Sequence, residues 1–324
     1  MKNFYVLFLM LVSYGTTYGQ QECKIEAADD EFYSLIPRDA KVEQVGDEFQ
    51  FTEGPVWDGR ENCLLFSDIP ASKIYRVDKL GKVSVYRQQS DHSNGLAFDK
   101  LGWLIACEHG TRSITVMDKS HKVMPIIKDY KGKRLNSPND LVIHPSGAIF
   151  FTDPPWGLPQ FDNDPAKELS FNGVFVYRNG SLYVIDSTLF RPNGIALSPD
   201  LKYLYVGNYQ LEDNDPSKPV NFWMRYELNP NLTVKSKSEF LQAPESEDKG
   251  NPDGMKVDVK GNLYCTGPGG VLIFNKNGKY LGIIRFPEVP TNCAFGDADF
   301  KTLYITDRKH VYKIRTVNSG WRLK

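Results

Sequence analysis

The stretch "SPNDLVIHPSGAIFFTDPPWG", residues 137–157, decides the fold. It runs turn, apolar segment, turn, second apolar segment, and it stops at Asp153. Two short strands joined by a tight connection fit that pattern. Asn139 stands just before the first apolar segment. Asparagine tolerates unusual backbone angles and bonds locally, so Asn139 taken alone reads as turn chemistry. Asp153 taken alone reads as a strand-end cap.

The same unit recurs along the chain, a polar turn followed by a short aliphatic or aromatic run that ends on a polar residue or glycine. The runs are "CLLFSD" ending at Asp68, "WLIACE" at Glu108, "AIFFTD" at Asp153, "YLYVGN" at Asn208, "LYCTG" at Gly267 and "LYITD" at Asp307, at intervals of 40, 45, 55, 59 and 40 residues. Polar insertions such as "LPQFDNDPAKE" and "EDNDPSKP" account for the long intervals. A further strand-like segment follows most runs, for example "KIYRVDKLG" and "GVFVYRNG". Helical periodicity is scarce and weak, confined to residues 27–36. Six copies of an all-β unit of this length predict a six-bladed β-propeller with four-stranded antiparallel blades. A β-sandwich would need closer spacing and no period this long. The segment after the N-terminus is expected to supply strands that close the ring.

Counting back 15, 14, 14, 15, 14 and 15 residues from the ends of the runs reaches Glu53, Asn94, Asn139, Asn193, Asp253 and Asn292. Each side chain carries a carbonyl or carboxylate oxygen, and four of the six are followed by glycine. Asn-Gly and Asp-Gly are also hairpin-turn signals. Six such residues in register, one of them a glutamate, point instead to a ring at the start of the innermost strands. Two carboxylates among amide oxygens make a hard, all-oxygen cage suited to a divalent cation. Without a cation, Glu53 and Asp253 would repel each other in a poorly solvated channel.

Composition narrows the rest. The chain has 324 residues, 41% of them hydrophobic, and 39 basic against 40 acidic side chains. That balance, with no basic block, gives no support to nucleic-acid or membrane-surface binding. Residues 1–19, with Lys2 ahead of the apolar run Phe4 to Val12, have the form of a signal peptide and are too short to span a bilayer. A secreted or periplasmic protein is therefore expected, with residues 20–44 as an N-terminal extension and 45–324 as the propeller. Five cysteines without a C-x-x-C pair make a cysteine zinc site a poor fit, and Cys107 and Cys265 lie in apolar runs as expected core residues. There is no G-x-S-x-G elbow and no H-E-x-x-H.

Taken together, "TEGPVW" at 52–57, "SNGLAF" at 93–98, "CEHGTRSI" at 107–114, "KRLNSPNDLV" at 133–142, "FTDPPWGL" at 151–158, "PNGIALSPD" at 192–200, "NPDGMKVD" at 251–258 and "NCAFG" at 292–296 resemble the senescence-marker-protein (regucalcin) and gluconolactonase family, on its bacterial gluconolactonase-like side. The resemblance covers residues 45 to 315. It implies that Glu53, Asn139, Asn193 and Asp253 hold one divalent metal ion, Ca2+ first, with Mg2+, Mn2+ or Zn2+ as alternatives. It implies hydrolysis of a sugar lactone, the ion polarising the carbonyl and Asp253 serving as general base or positioning the attacking water. Asn94, His109, Arg134 and Asn139 would contact substrate. A regucalcin-like arginine two residues before the metal-near asparagine is replaced here by Ser137, with Arg134 further upstream. Two other readings stand beside this one. They are an aryl-ester or organophosphate hydrolase on the same metal site, with Trp57, Trp103 and Trp156 lining a funnel or filling packing, and a non-catalytic carbohydrate-binding propeller. A monomer or weak dimer is expected.

Overall fold

The computed structural model describes residues 22–209, 221–244 and 248–323. The signal-peptide segment lies outside the described residues. Among the described residues six antiparallel blade sheets follow one another, with a two-stranded ribbon, Asp129–Tyr130 paired with Lys133–Arg134, between the second and third. Blade 1 holds Thr52–Asp58, Cys63–Asp68, Lys73–Val77 and Val83–Gln88, and blade 2 holds Ser93–Phe98, Leu104–Glu108, Ser113–Met117 and Val123–Ile127. Blade 3 is Leu141–Ile143, Ile149–Asp153, Gly173–Arg178 and Ser181–Asp186, and blade 4 is Pro192–Leu197, Tyr203–Tyr209, Asn221–Leu228 and Val234–Gln242. Blade 5 is Met255–Val257, Leu263–Gly267, Gly270–Phe274 and Tyr280–Arg285. Blade 6 takes three strands from the C-terminal part, Pro290–Gly296, Thr302–Asp307 and Val311–Arg315. Its fourth, outermost strand is Glu43–Gly46, which pairs with Val311–Arg315 and closes the ring as expected. That strand straddles the boundary placed between residues 44 and 45.

The extension does more than lead in. Lys24–Ala27 adds a fifth strand to the outer edge of blade 5, Lys24 opposite Arg285. A short 3-10 helix, Asp30–Ser34, begins with the Asp29 side chain capping the Glu31 N–H, and this is the weakly helical stretch. It places Phe32, Leu35 and Ile36 in the layer between blades 5 and 6. An edge strand is thereby covered, which removes a template for unwanted pairing.

The core is six separate layers rather than one mass. Each apolar cluster draws its side chains mainly from two adjacent blades: 1 with 2, 2 with 3, 3 with 4, 4 with 5, 5 with 6, and 6 with 1. This follows from strands buried on both faces, whose runs are continuously apolar. Cys63–Asp68 and Ile149–Asp153 are buried at every position. Trp57 stacks on Tyr304 in the layer between blades 6 and 1, and Trp103 packs against the layer between blades 2 and 3, so both fill packing. Cys63, Cys107, Cys265 and Cys293 are buried, Cys23 is half-buried, and all five are free thiols.

Candidate functional site

Four first strands lose register at the ring residue. The breaks fall between Glu53 and Val56, Ser93 and Leu96, Pro192 and Ile195, and Pro290 and Asn292. A bulge of this kind re-aims a side chain. In blades 3 and 5 the ring residue precedes the strand. There Asn139 and Asp253 donate their N–H to the carbonyls of Thr152 (2.8 Å) and Thr266 (3.1 Å) in the second strand.

The residue after each ring position explains the glycines. A Cβ on Gly194 would lie 2.1 Å from the Asp253 carbonyl oxygen, and one on Gly254 would lie 2.0 Å from Asn292 Cγ. Neither has a positive φ, so these glycines serve close approach of neighbouring first strands around the axis, not hairpin turns. The strand-to-strand bonds Gly95 N–H to Asn139 O and Gly254 N–H to Thr291 O, both 2.8 Å, run across the same contacts. Hydroxyls from the second strands reinforce them: Ser67 donates to Asn94 O (2.8 Å) and Thr152 to Asn193 O (2.7 Å), each in the next blade.

Strand-end acids hold the loops leading into the ring. Asp153 is fully buried and accepts the N–H groups of Asn136 (2.7 Å) and Ser137 (2.8 Å), three and two residues before Asn139. Asp68 does the same for Gln50 and Phe51 ahead of Glu53. Burial pushes the Asp153 carboxyl up to about 7. Its structural reading as a cap holds.

Around the axis, Glu53 Oε2 accepts from Gly54 N–H (2.8 Å) and from Asn292 Nδ2 (3.0 Å). Asp253 stands close enough to Glu53 and Asn193 for both to act on its carboxyl. Glu53, Asn94, Asn139, Asn193 and Asn292 are buried, whereas Asp253 keeps some exposure. Burial raises the Glu53 carboxyl to about 7, with the charge of Asp140 adding to the rise. Burial, then Glu53, then Asp140 raise Asp253 well above the ordinary carboxylate range.

Asp140 is the residue that sequence reasoning missed. Its carboxylate is buried, accepts Leu141 N–H (2.8 Å) and lies 3.4 Å from Asn292 Nδ2. A signal was present: four of the six ring residues are followed by glycine, and Asn139 is followed by an acid. Two arginines were missed as well. Arg112 is buried and donates to Leu135 O (2.7 Å) and Asn136 O (3.0 Å), pinning the Asn139 loop. Arg191 stands two residues before Asn193, bonded to Asp162 (2.8 Å) and set against the rings of Trp156, Phe161 and Phe190. Trp156 therefore belongs to a rim loop, edge-on to Tyr209.

The expected substrate residues divide. His109 is buried beside Ser137 and Gly157, and burial lowers it to about 4, so the ring is neutral. Its Nε2 is buried without a hydrogen-bond partner. Arg134 is exposed on the two-residue strand Lys133–Arg134, and its guanidinium donates to Thr111 O (3.2 Å), a blade 2 loop rather than the ring.

The side chains suit a hard cation. The Oδ1 atoms of Asn94 and Asn193 are buried with no hydrogen-bond partner. A buried carbonyl oxygen left unpaired calls for a ligand or water. Coupled carboxylates beside them call for positive charge. Among the described residues no group of three or more His, Cys, Asp and Glu side chains is arranged to hold a metal. An ion here would therefore be held by mixed carboxylate and amide oxygens, the chemistry of Ca2+ and similar cations.

Below the ring the channel changes character. A cavity of about 530 Å3 opens at the opposite end, lined by Val56, Leu96, Leu141, Ile195 and Val257, with Trp321 of the C-terminal segment at its edge. Among the described residues no helix is long and apolar enough to cross a membrane.

Known proteins share this architecture. The gluconolactonase of Zymomonas mobilis is 37% identical over 94% of this chain and 88% of its own length. The regucalcin of Bos taurus is 28% identical over 78% of this chain and 82% of its own. The solved gluconolactonase of Xanthomonas campestris superposes with a TM-score of 0.80 at 29% identity, covering 92% of this chain and 96% of that one. The model of the SMP-30/gluconolactonase/LRE-like region matches residues 51–309. The chain thus belongs to the SMP-30/gluconolactonase/LRE-like family.

Proposed function

We propose that this protein is a lactonase that opens a sugar lactone at the axial ring, with one divalent cation as cofactor. The observation that carries this is the convergence of Glu53, Asn193 and Asp253 beside the unpaired amide oxygens of Asn94 and Asn193. The gluconolactonases among its relatives support the substrate class. Glu53, Asn139, Asn193 and Asp253 would hold the ion, which supplies Lewis-acid polarisation of the lactone carbonyl when bound.

The chain's own groups account for the remaining steps. Asp253 has both partial access to solvent and a raised proton affinity, so its carboxylate suits uptake of a proton from the attacking water. Glu53, more deeply buried, is locked by Gly54 and Asn292 and keeps a fixed place. Asn94 Oδ1 accepts from a substrate hydroxyl. Neutral His109 offers Nε2 to another, because an unpaired buried nitrogen gains most from a new bond. Arg134, if it binds substrate, does so at the outer edge.

The deciding experiment measures hydrolysis of glucono-1,5-lactone with and without chelator, beside Asp253→Asn. Turnover that survives both treatments overturns the reading. We further read residues 1–19 as a cleaved export signal and the protein as a monomer or weak dimer. N-terminal sequencing of the protein recovered outside the cytoplasm tests the first, and sedimentation tests the second.

A further inference from the structure

The charges at the axis do not balance on the ring alone. Glu53, Asp140 and Asp253 bring three carboxyl groups to the axis, one more than the two charges of a divalent ion. Lys256 stands three residues after Asp253 on the first strand of blade 5. It is half-buried and lines the axial cavity, among the apolar side chains of Leu141, Ile195 and Val257. A lysine at such a place can snorkel outward to water. This one turns toward the ring: Nζ donates to Met255 O (3.0 Å) and to Asn292 Oδ1 (3.4 Å).

Asn292 passes the interaction on. Its Oδ1 accepts from Lys256 and from Cys293 N–H (2.9 Å), which fixes the amide so that Nδ2 faces Glu53 Oε2 (3.0 Å) and Asp140 Oδ2 (3.4 Å). Gly254 is what leaves space for this side chain, since a Cβ there would lie 2.0 Å from Asn292 Cγ. Lys256 also acts on Glu53 directly, its charge easing the Glu53 carboxyl down. Apolar surroundings strengthen every one of these charge interactions.

We propose that Lys256 is the resident cation of the axial site, a positioning residue that orients Asn292 toward Glu53 and Asp140 and sets the net charge that the site presents to one divalent ion. The ion in this statement rests on the functional reading above; the link from Lys256 through Asn292 to Asp140 does not.

The test uses the full-length protein in two measurements. Calorimetric titration with Ca2+ after chelator treatment compares wild type, Lys256→Met and Lys256→Arg. Removing one positive charge near the site tightens Ca2+ binding roughly tenfold or more, while Lys256→Arg stays within about threefold of wild type. A merely structural lysine would weaken binding when lost. Thermal melting in chelator then compares Lys256→Met, Asp140→Asn and the double variant. The double variant is expected to recover most of the melting temperature that Lys256→Met loses, because both residues act on the same Asn292 amide. Lys256→Gln replaces Lys256→Met if the latter does not fold. Unchanged or weaker Ca2+ binding in the Lys256 variant, or strictly additive melting shifts, overturns the proposal. If wild type takes up no divalent ion at all, the metal reading falls and the melting cycle alone decides the role of Lys256.

Discussion

The two ends of the axial channel are built from the same six first strands and differ in nearly every property. At the ring end stand Glu53, Asn94, Asn139, Asn193 and Asn292, all buried, with Asp253 at the mouth. A few residues further along the same strands, the lining turns to Val56, Leu96, Leu141, Ile195 and Val257. The bulges mark the change, since they re-aim side chains at the ring and restore the ladder beyond it. One end concentrates charge at a cost in stability. The other end recovers stability by burial. Function and stability are thus separated along one short axis, and substitutions at the two ends should have opposite signatures.

The largest expected effect is at the ring. Asp253→Asn should lower lactonase kcat/KM by about 10³-fold, equivalent to about 4 kcal/mol, while the circular dichroism spectrum is unchanged. A loss below tenfold would remove Asp253 from catalysis and break the comparison. At the other end, Leu197→Ala should cost about 3 kcal/mol of stability in denaturant unfolding, since Leu197 is buried, with kcat/KM within about twofold of wild type. Between the two ends, Gly194→Ala should lose both. Its Cβ would meet the Asp253 carbonyl, so about 1–3 kcal/mol of overpacking and a weakened ring are expected, read by unfolding and by activity together.

The smallest effect sharpens the electrostatic part. Glu53 is raised from 4.5 to about 7 in the folded protein. The folded state therefore holds the Glu53 proton more tightly than the unfolded chain. That contribution is full below pH 4.5 and is lost as pH rises through about 7. In chelator, wild type should lose roughly a few degrees of melting temperature between pH 5 and 8 that Glu53→Gln does not lose. Equal slopes in the two proteins would show that Glu53 carries no such strain.

Much of this was legible beforehand because a repeat multiplies weak signals. Asn139 alone is a turn residue, but six equivalents at offsets of 14 and 15 residues located the ring. Asp153 kept its reading as a cap, and its bonds to Asn136 and Ser137 show what it holds. Asp140 escaped because its importance depends on breaking the pattern of small residues beside the axis, not on matching it. Arg191 escaped because only folding brings Asp162, Phe161 and Trp156 around it. Arg134 was named from its neighbourhood in sequence, and the structure gives its guanidinium a bond to Thr111 O instead of to the ring.

The amino-acid sequence by itself determined the blade count, the all-β architecture and the oxygen-bearing ring, because strand alternation and turn chemistry are local and recur six times. Tertiary structure alone decided how the charges combine. Whether Asp140 faces the axis, which end of the Asn292 amide meets Lys256, and how far Glu53 is desolvated depend on strands brought together from distant parts of the chain. Electrostatic energy depends on distance and burial, and no sequence interval encodes either.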